Sequence, residues 1–172
     1  YGSRYTHFYN AMKAINPRIK IGADSEPCDT YQPWGWYVGK WTRDLLINTT
    51  DSNGIQPDFL IIHSYPGTDQ PASYNPTLLS RDIQLIYDDT VSLNNIIATS
   101  IGPQYVGKIK YWMTEWDAGG SYGSYNRDIT YVSALFKAQY IMEMCKYGWE
   151  GSNPWSQNQY HSGDTNYPSD YY

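Results

Sequence analysis

The chain has 172 residues, with 12 Lys+Arg against 17 Asp+Glu and a net charge of −5. This length supports one domain with a sizeable core, and an acidic balance without a basic cluster argues against nucleic acid or an anionic membrane as partner. No apolar run reaches the ~18–20 residues that span a bilayer, and the two cysteines lack CxxC spacing, so neither a metal site nor a cofactor is expected.

Tyr1-Gly2-Ser3 provides neither an initiating Met nor a charged-then-apolar leader, so the chain is expected to be a processed, trimmed or partial product. From Tyr5 to Ile15, Phe8, Ala11, Met12 and Ile15 follow the i, i+3, i+4, i+7 spacing of an amphipathic helix, which Asn16-Pro17 ends. Residues 18–24 read as a short strand and 25–36, with Pro27, Pro33 and Gly35, as a loop. Residues 37–48 read as a helix with Val38, Trp41, Leu45 and Leu46 on one side. The continuous apolar run Phe59-Leu60-Ile61-Ile62 marks a strand buried on both faces, ending in His63-Ser64-Tyr65-Pro66-Gly67.

A long helix over 78–97 stacks Leu79, Ile83, Ile86 and Thr90, and Gly102-Pro103 breaks it. Residues 109–116 form the next strand. Residues 129–146 form a helix carrying Val132, Leu135, Phe136, Tyr140 and Met144, and 148–155 a weaker strand before a polar tail. Strands alternating with helices imply βαβ units and a parallel sheet. Four strands are half of a (β/α)8 barrel, which typically needs ~250 residues. A small open α/β sheet competes with that reading.

Nineteen Tyr and seven Trp, many in loops, combine flat apolar faces with polar handles and so suit carbohydrate, or a Tyr-rich extracellular surface. Functional groups in parallel α/β proteins gather at the carboxyl ends of strands. Those ends read Asp24-Ser25-Glu26, His63-Ser64-Tyr65, Glu115-Trp116-Asp117 and Asn153-Pro154-Trp155. Strict alternation puts Phe59, Ile61, His63 and Tyr65 on one face, and Tyr111, Met113 and Glu115 on one face. With both sets turned inward, His63, Tyr65 and Glu115 meet at a barrel rim while Trp112, Thr114 and Trp116 face the helices. The opposite phase would bury Glu115 against the helices, at a cost of several kcal/mol.

The stretch Pro57-Asp58-Phe59-Leu60-Ile61-Ile62-His63-Ser64-Tyr65-Pro66, followed by Tyr111-Trp112-Met113-Thr114-Glu115-Trp116, resembles strands six and seven of clan A retaining glycoside hydrolases. It looks closest to the arabinofuranosidase and β-xylosidase branch. The segment 14–23 is similar to the end of helix four and strand five of those enzymes, and the resemblance covers about residues 1–156. It implies the C-terminal half, strands five to eight, of a TIM barrel, with 1–172 as a partial catalytic barrel and no second domain. By position it implies Glu115 as the catalytic nucleophile, with Tyr65 as its hydrogen-bond donor and His63 and Trp155 as sugar contacts. Glu26 is read as a loop residue after strand five contacting substrate. Trp34 and Trp36 form either a sugar platform or a lid on the helices.

A retaining glycosidase needs two carboxyls ~5–5.5 Å apart, one to attack the anomeric carbon and one to protonate the leaving oxygen. The family's acid/base is a Glu after Asn at the end of strand four, and no Asn-Glu occurs here. Glu143 falls mid-helix and Glu150 at the wrong end of a strand. The expected function is therefore hydrolysis of glycosidic bonds in a secreted protein, acting on oligo- or polysaccharide with its acid/base outside this chain. These 172 residues alone are expected to be inactive. The rest of the barrel, or an assembly, is expected to cover the open edges. The alternative is an inactive, Tyr-rich structural or carbohydrate-binding protein on the same scaffold. The barrel register also sets Cys28 at the top and Cys145 at the bottom, too far apart to bridge.

Overall fold

The computed structural model describes residues 1–26, 39–50, 57–64, 76–116 and 131–154. In chain order these form helix α1 (Gly2–Ile15), strand β1 (Gly22–Asp24), α2 (Gly39–Thr49), β2 (Phe59–Ser64) and α3 (Pro76–Ser100). A one-turn 3-10 helix (Pro103–Tyr105), β3 (Lys110–Trp116), α4 (Tyr131–Lys146) and β4 (Gly151–Pro154) follow. The four strands lie side by side in the order β1-β2-β3-β4, and every neighbouring pair is parallel. The alternation of periods thus gives the expected βαβ succession, and α1, α2, α3 and α4 form a layer in which each helix touches the next.

The core lies between this helix layer and one face of the sheet. Ala23, Leu60, Ile62, Met113 and Trp116 are fully buried together with Leu46, Ile86, Leu93, Ile97 and Tyr140 of the helices. On α3 the buried residues Ile83, Ile86, Thr90, Leu93 and Ile97 follow helical spacing, extending the stripe read from sequence. Gly148, at φ +78°, stops α4 in the left-handed conformation, and the Trp149 N–H then bonds back to the Met144 carbonyl. That turn drives Trp149 into the core, where its Nε1–H donates to the Thr90 hydroxyl at 2.9 Å and its ring meets Tyr111.

The other face of the sheet carries Phe59 stacked on Trp112, with centroids 4.8 Å apart. A methyl group at Gly22 would strike the Phe59 ring, and one at Gly151 the Trp112 ring. The two glycines thus let two large rings lie across the strands, an alternation of small and large residues that fills a barrel interior. At the amino ends of the strands, the Asp58 carboxylate holds Lys13 at 2.8 Å and accepts the Ile21 N–H at 2.9 Å, tying α1 and β1 to β2.

Three expectations are corrected. Tyr111 and Met113, assigned to the rim face with Glu115, are buried against the helices instead, and the Tyr111 hydroxyl donates to Asn94 of α3 at 2.7 Å. Trp112 and Thr114, assigned to the helices, lie on the open face, while Trp116 does face the helices and packs on Tyr140. The stripe Phe8, Met12 and Ile15 on α1 is exposed, up to 87% at Ile15, as is Leu135 on α4. Instead α1 buries Tyr5, whose hydroxyl donates to the Ile21 carbonyl. Among the described residues both helices end the layer, and no further helix lies beside these flanks.

Candidate active site

A bulge in β3 builds the site. Across β2 the register runs Ile62↔Met113 and then His63↔Glu115, and across β4 it runs Met113↔Ser152 and then Trp116↔Pro154. Both neighbours therefore see one extra residue between Met113 and Trp116, and Thr114 is the residue skipped in the pairing with β2. Strict alternation would have sent Glu115 after Tyr111 and Met113 into the helices. The extra residue reverses the phase, so that Thr114 and Glu115 both reach the open face before Trp116 returns to the core. Trp116 fixes the far side of the bulge: it is fully buried and its Nε1–H donates to Ser152 Oγ at 2.8 Å.

His63, at the end of the neighbouring strand, meets both bulge residues. Its Nε2 lies 2.9 Å from Thr114 Oγ1, and its Nδ1 lies 3.5 Å from Glu115 Oε2. The Glu115 side chain is about one-third exposed (32%) and the His63 side chain 42%, so both are reachable from solvent yet held by protein. Beneath them on the same face, Ile61 pairs with Trp112, so the polar pair stands on an apolar floor.

Glu26 sits just beyond β1, at the same carboxyl-end rim. Its backbone N–H donates to Thr42 Oγ1, and that hydroxyl donates back to the Glu26 carbonyl, which pins the residue to α2. Burial pushes the Glu26 carboxyl above its ordinary range, and the nearby Asp24 adds to the shift. Asp24 itself is held through its backbone, its N–H donating to the Tyr1 hydroxyl and its carbonyl accepting from Trp41 Nε1. The exposed ring of Trp41 lies 5.0 Å from that of Tyr1, an aromatic pair at the rim that the sequence reading had not singled out.

The remaining glutamates are elsewhere. Glu150 pairs with Lys110 at the opening of β3, away from Glu115, and Glu143 pairs with Lys146 on α4. Tyr65, Trp155, Trp34 and Trp36 lie outside the described residues, as does Cys28, while Cys145 is a free, exposed thiol. Among the described residues no group of three or more His, Cys, Asp or Glu side chains could hold a metal ion. Among them, too, no helix is long and apolar enough to cross a membrane.

No protein-family profile matches the chain, and neither does any curated protein. Solved structures do. A glucosidase from Croceicoccus marinus matches 87% of this chain with a TM-score of 0.59 at 15% identity, using 27% of its own length. A family 51 α-L-arabinofuranosidase from Bifidobacterium longum matches 90% of this chain with a TM-score of 0.61 at 13% identity, using 34% of its own. The chain thus spans about a third or less of each of these proteins, and at such identities the likeness is one of fold. Of the two architectures left open by the sequence, the half-barrel is the one found: the four parallel strands and their helices match the C-terminal half of a TIM-barrel glycoside hydrolase.

Proposed function

We propose that this chain is part of a secreted retaining glycoside hydrolase acting on oligo- or polysaccharide, with Glu115 as its nucleophile. The observation that carries the reading is the Thr114 bulge. It spends an irregularity in the sheet on bringing one carboxylate to the carboxyl-end rim, beside a histidine from the next strand. A charge turned toward solvent in this way can attack an anomeric carbon, whereas the regular strand would have hidden it. The half-barrel likeness to two glycosidases supports the same class of chemistry.

In the proposed mechanism Glu115 attacks the anomeric carbon on one face of the sugar and forms a glycosyl-enzyme. Water then releases the sugar with retained configuration. Protonation of the leaving oxygen falls to a carboxyl outside these residues, at the end of the strand that would precede α1. Tyr65 serves as a hydrogen-bond donor to Glu115, and Trp155, Trp34 and Trp36 as sugar-contacting aromatics. Glu26, held at the rim with its proton retained to higher pH, contacts substrate hydroxyls. The competing reading, an inactive Tyr-rich carbohydrate-binding scaffold, shares the composition but gives no role to the bulge.

The test is kinetic. In the complete polypeptide, assayed on a panel of aryl glycosides, Glu115→Gln is expected to lower turnover by at least about a thousandfold while leaving the circular dichroism spectrum unchanged. Unchanged turnover rules out Glu115 as nucleophile. The isolated 172 residues are expected to hydrolyse none of the panel.

A further inference from the structure

One imidazole touches two consecutive residues of β3, and a regular strand cannot offer that, because neighbours in a strand point to opposite faces. Only the bulge sets the Thr114 hydroxyl and the Glu115 carboxylate side by side on the open face, 2.9 Å and 3.5 Å from the two nitrogens of His63. The chemistry of these groups then restricts the ring. An ionised carboxylate only accepts, so it is attracted by a proton on the nitrogen that faces it. With Nδ1–H turned to the carboxylate, a neutral His63 leaves Nε2 bare. The Thr114 hydroxyl can donate to that bare nitrogen, and can accept instead when the ring is protonated. The neutral Nε2–H form also satisfies Thr114 but turns a lone pair toward the carboxylate, and so holds it less well.

We propose that His63 is a positioning residue for Glu115: Thr114, the extra residue of the bulge, anchors the ring through Nε2 so that Nδ1–H is aimed at the carboxylate. The resemblance assigned His63 to the sugar, whereas this geometry gives it to the attacking group. The bulge then has two linked effects. It exposes the carboxylate, and it supplies the hydroxyl that orients its donor, as a neighbouring group fixes the tautomer of many functional histidines. Holding the carboxylate in one direction matters because small misplacements of an attacking group cost large factors in rate.

The structural arm of the test is independent of any activity. In the full chain labelled with 15N-histidine at about pH 8, the His63 ring is assigned by its loss in His63→Gln, which separates it from His7 and His161. The expected spectrum is the Nδ1–H tautomer, shifting toward Nε2–H in Glu115→Ala. The Nε2 resonance is expected to move in Thr114→Val and to return in Thr114→Ser. A native Nε2–H ring, or a ring indifferent to both positions, overturns the proposal.

The kinetic arm rests on the glycosidase reading. In the complete enzyme Thr114→Val is expected to lower kcat ten- to a hundredfold, by order of magnitude, with KM little changed, and Thr114→Ser to restore it. If Glu115→Gln abolishes turnover while Thr114→Val leaves kcat intact, the positioning role is wrong and the nucleophile stands. If Glu115→Gln is fully active, the nucleophile is wrong, and the histidine spectrum alone decides whether the ring is held as described.

Discussion

At the scale of single residues, one partly hidden side chain and one buried side chain carry measurable consequences. The folded state holds the Glu26 proton to higher pH than the unfolded chain does, because burial and the neighbouring Asp24 disfavour the charged form. The group's contribution to stability therefore falls as pH rises through the carboxylate range, and the cost is fully present at neutral pH. Glu26→Gln removes that charge, so it is expected to raise the melting temperature at pH 7 and to leave it unchanged near pH 3, where the carboxyl is protonated in both states. A second residue, Trp149, ends the chain of contacts that seats β4. Trp149→Phe loses the Nε1–H bond to Thr90 and part of a buried ring, and urea unfolding is expected to register a loss of about 2 kcal/mol. The Thr90 hydroxyl keeps its own bond to the Ile86 carbonyl, so it is not left without a partner.

At the scale of elements, β3 is where strand phase becomes function. Deleting Thr114 removes the extra residue, and strict alternation then runs Met113 inward, Glu115 onto the open face and Trp116 into the core. Because no charge is buried, the deletion and Thr114→Ala, which keeps the bulge, are each expected to cost about 1–2 kcal/mol or less. A deletion several kcal/mol more costly than Thr114→Ala, measured by urea unfolding, would argue that Thr114 is not the extra residue of the bulge. This element also marks the limit of what the sequence made legible. The run at 59–62 announced a buried strand, and Ile83, Ile86 and Thr90 announced the inner face of α3, because spacing and burial coincide there. In Tyr111-Trp112-Met113-Thr114 both faces carry bulky side chains, so hydrophobicity could not say which face met the helices. A bulge leaves no periodic trace, and a strict two-residue period assigned Tyr111 and Met113 to the wrong side. The cost of burying a charge pointed Glu115 to the rim, although strict alternation is broken in β3. On α1 the regular stripe was real but misdirected: Phe8, Met12 and Ile15 lie on an open flank, not against this sheet.

At the scale of the molecule, those flanks and the two outer strands are what a half-barrel leaves uncovered. Phe8, Met12 and Ile15 on α1 lie at one end of the helix layer, and Leu135 and Met142 on α4 at the other. Unpaired edges and exposed apolar helices favour self-association. Phe8→Ser combined with Leu135→Ser is expected to reduce light scattering by the 172-residue chain while changing its unfolding free energy by less than about 1 kcal/mol, since neither side chain contributes to the core. The proposed chemistry depends on one carboxylate delivered to the rim by one irregular residue pair. Its most direct test is covalent trapping. The complete polypeptide is incubated with activated 2-deoxy-2-fluoro glycosides of pentoses and hexoses, and its peptides are read by mass spectrometry. The predicted result is a single glycosyl adduct on the peptide containing Glu115. Hydrolysis accompanied by an adduct on a different carboxylate, or no hydrolysis of any glycoside by the complete protein, contradicts it.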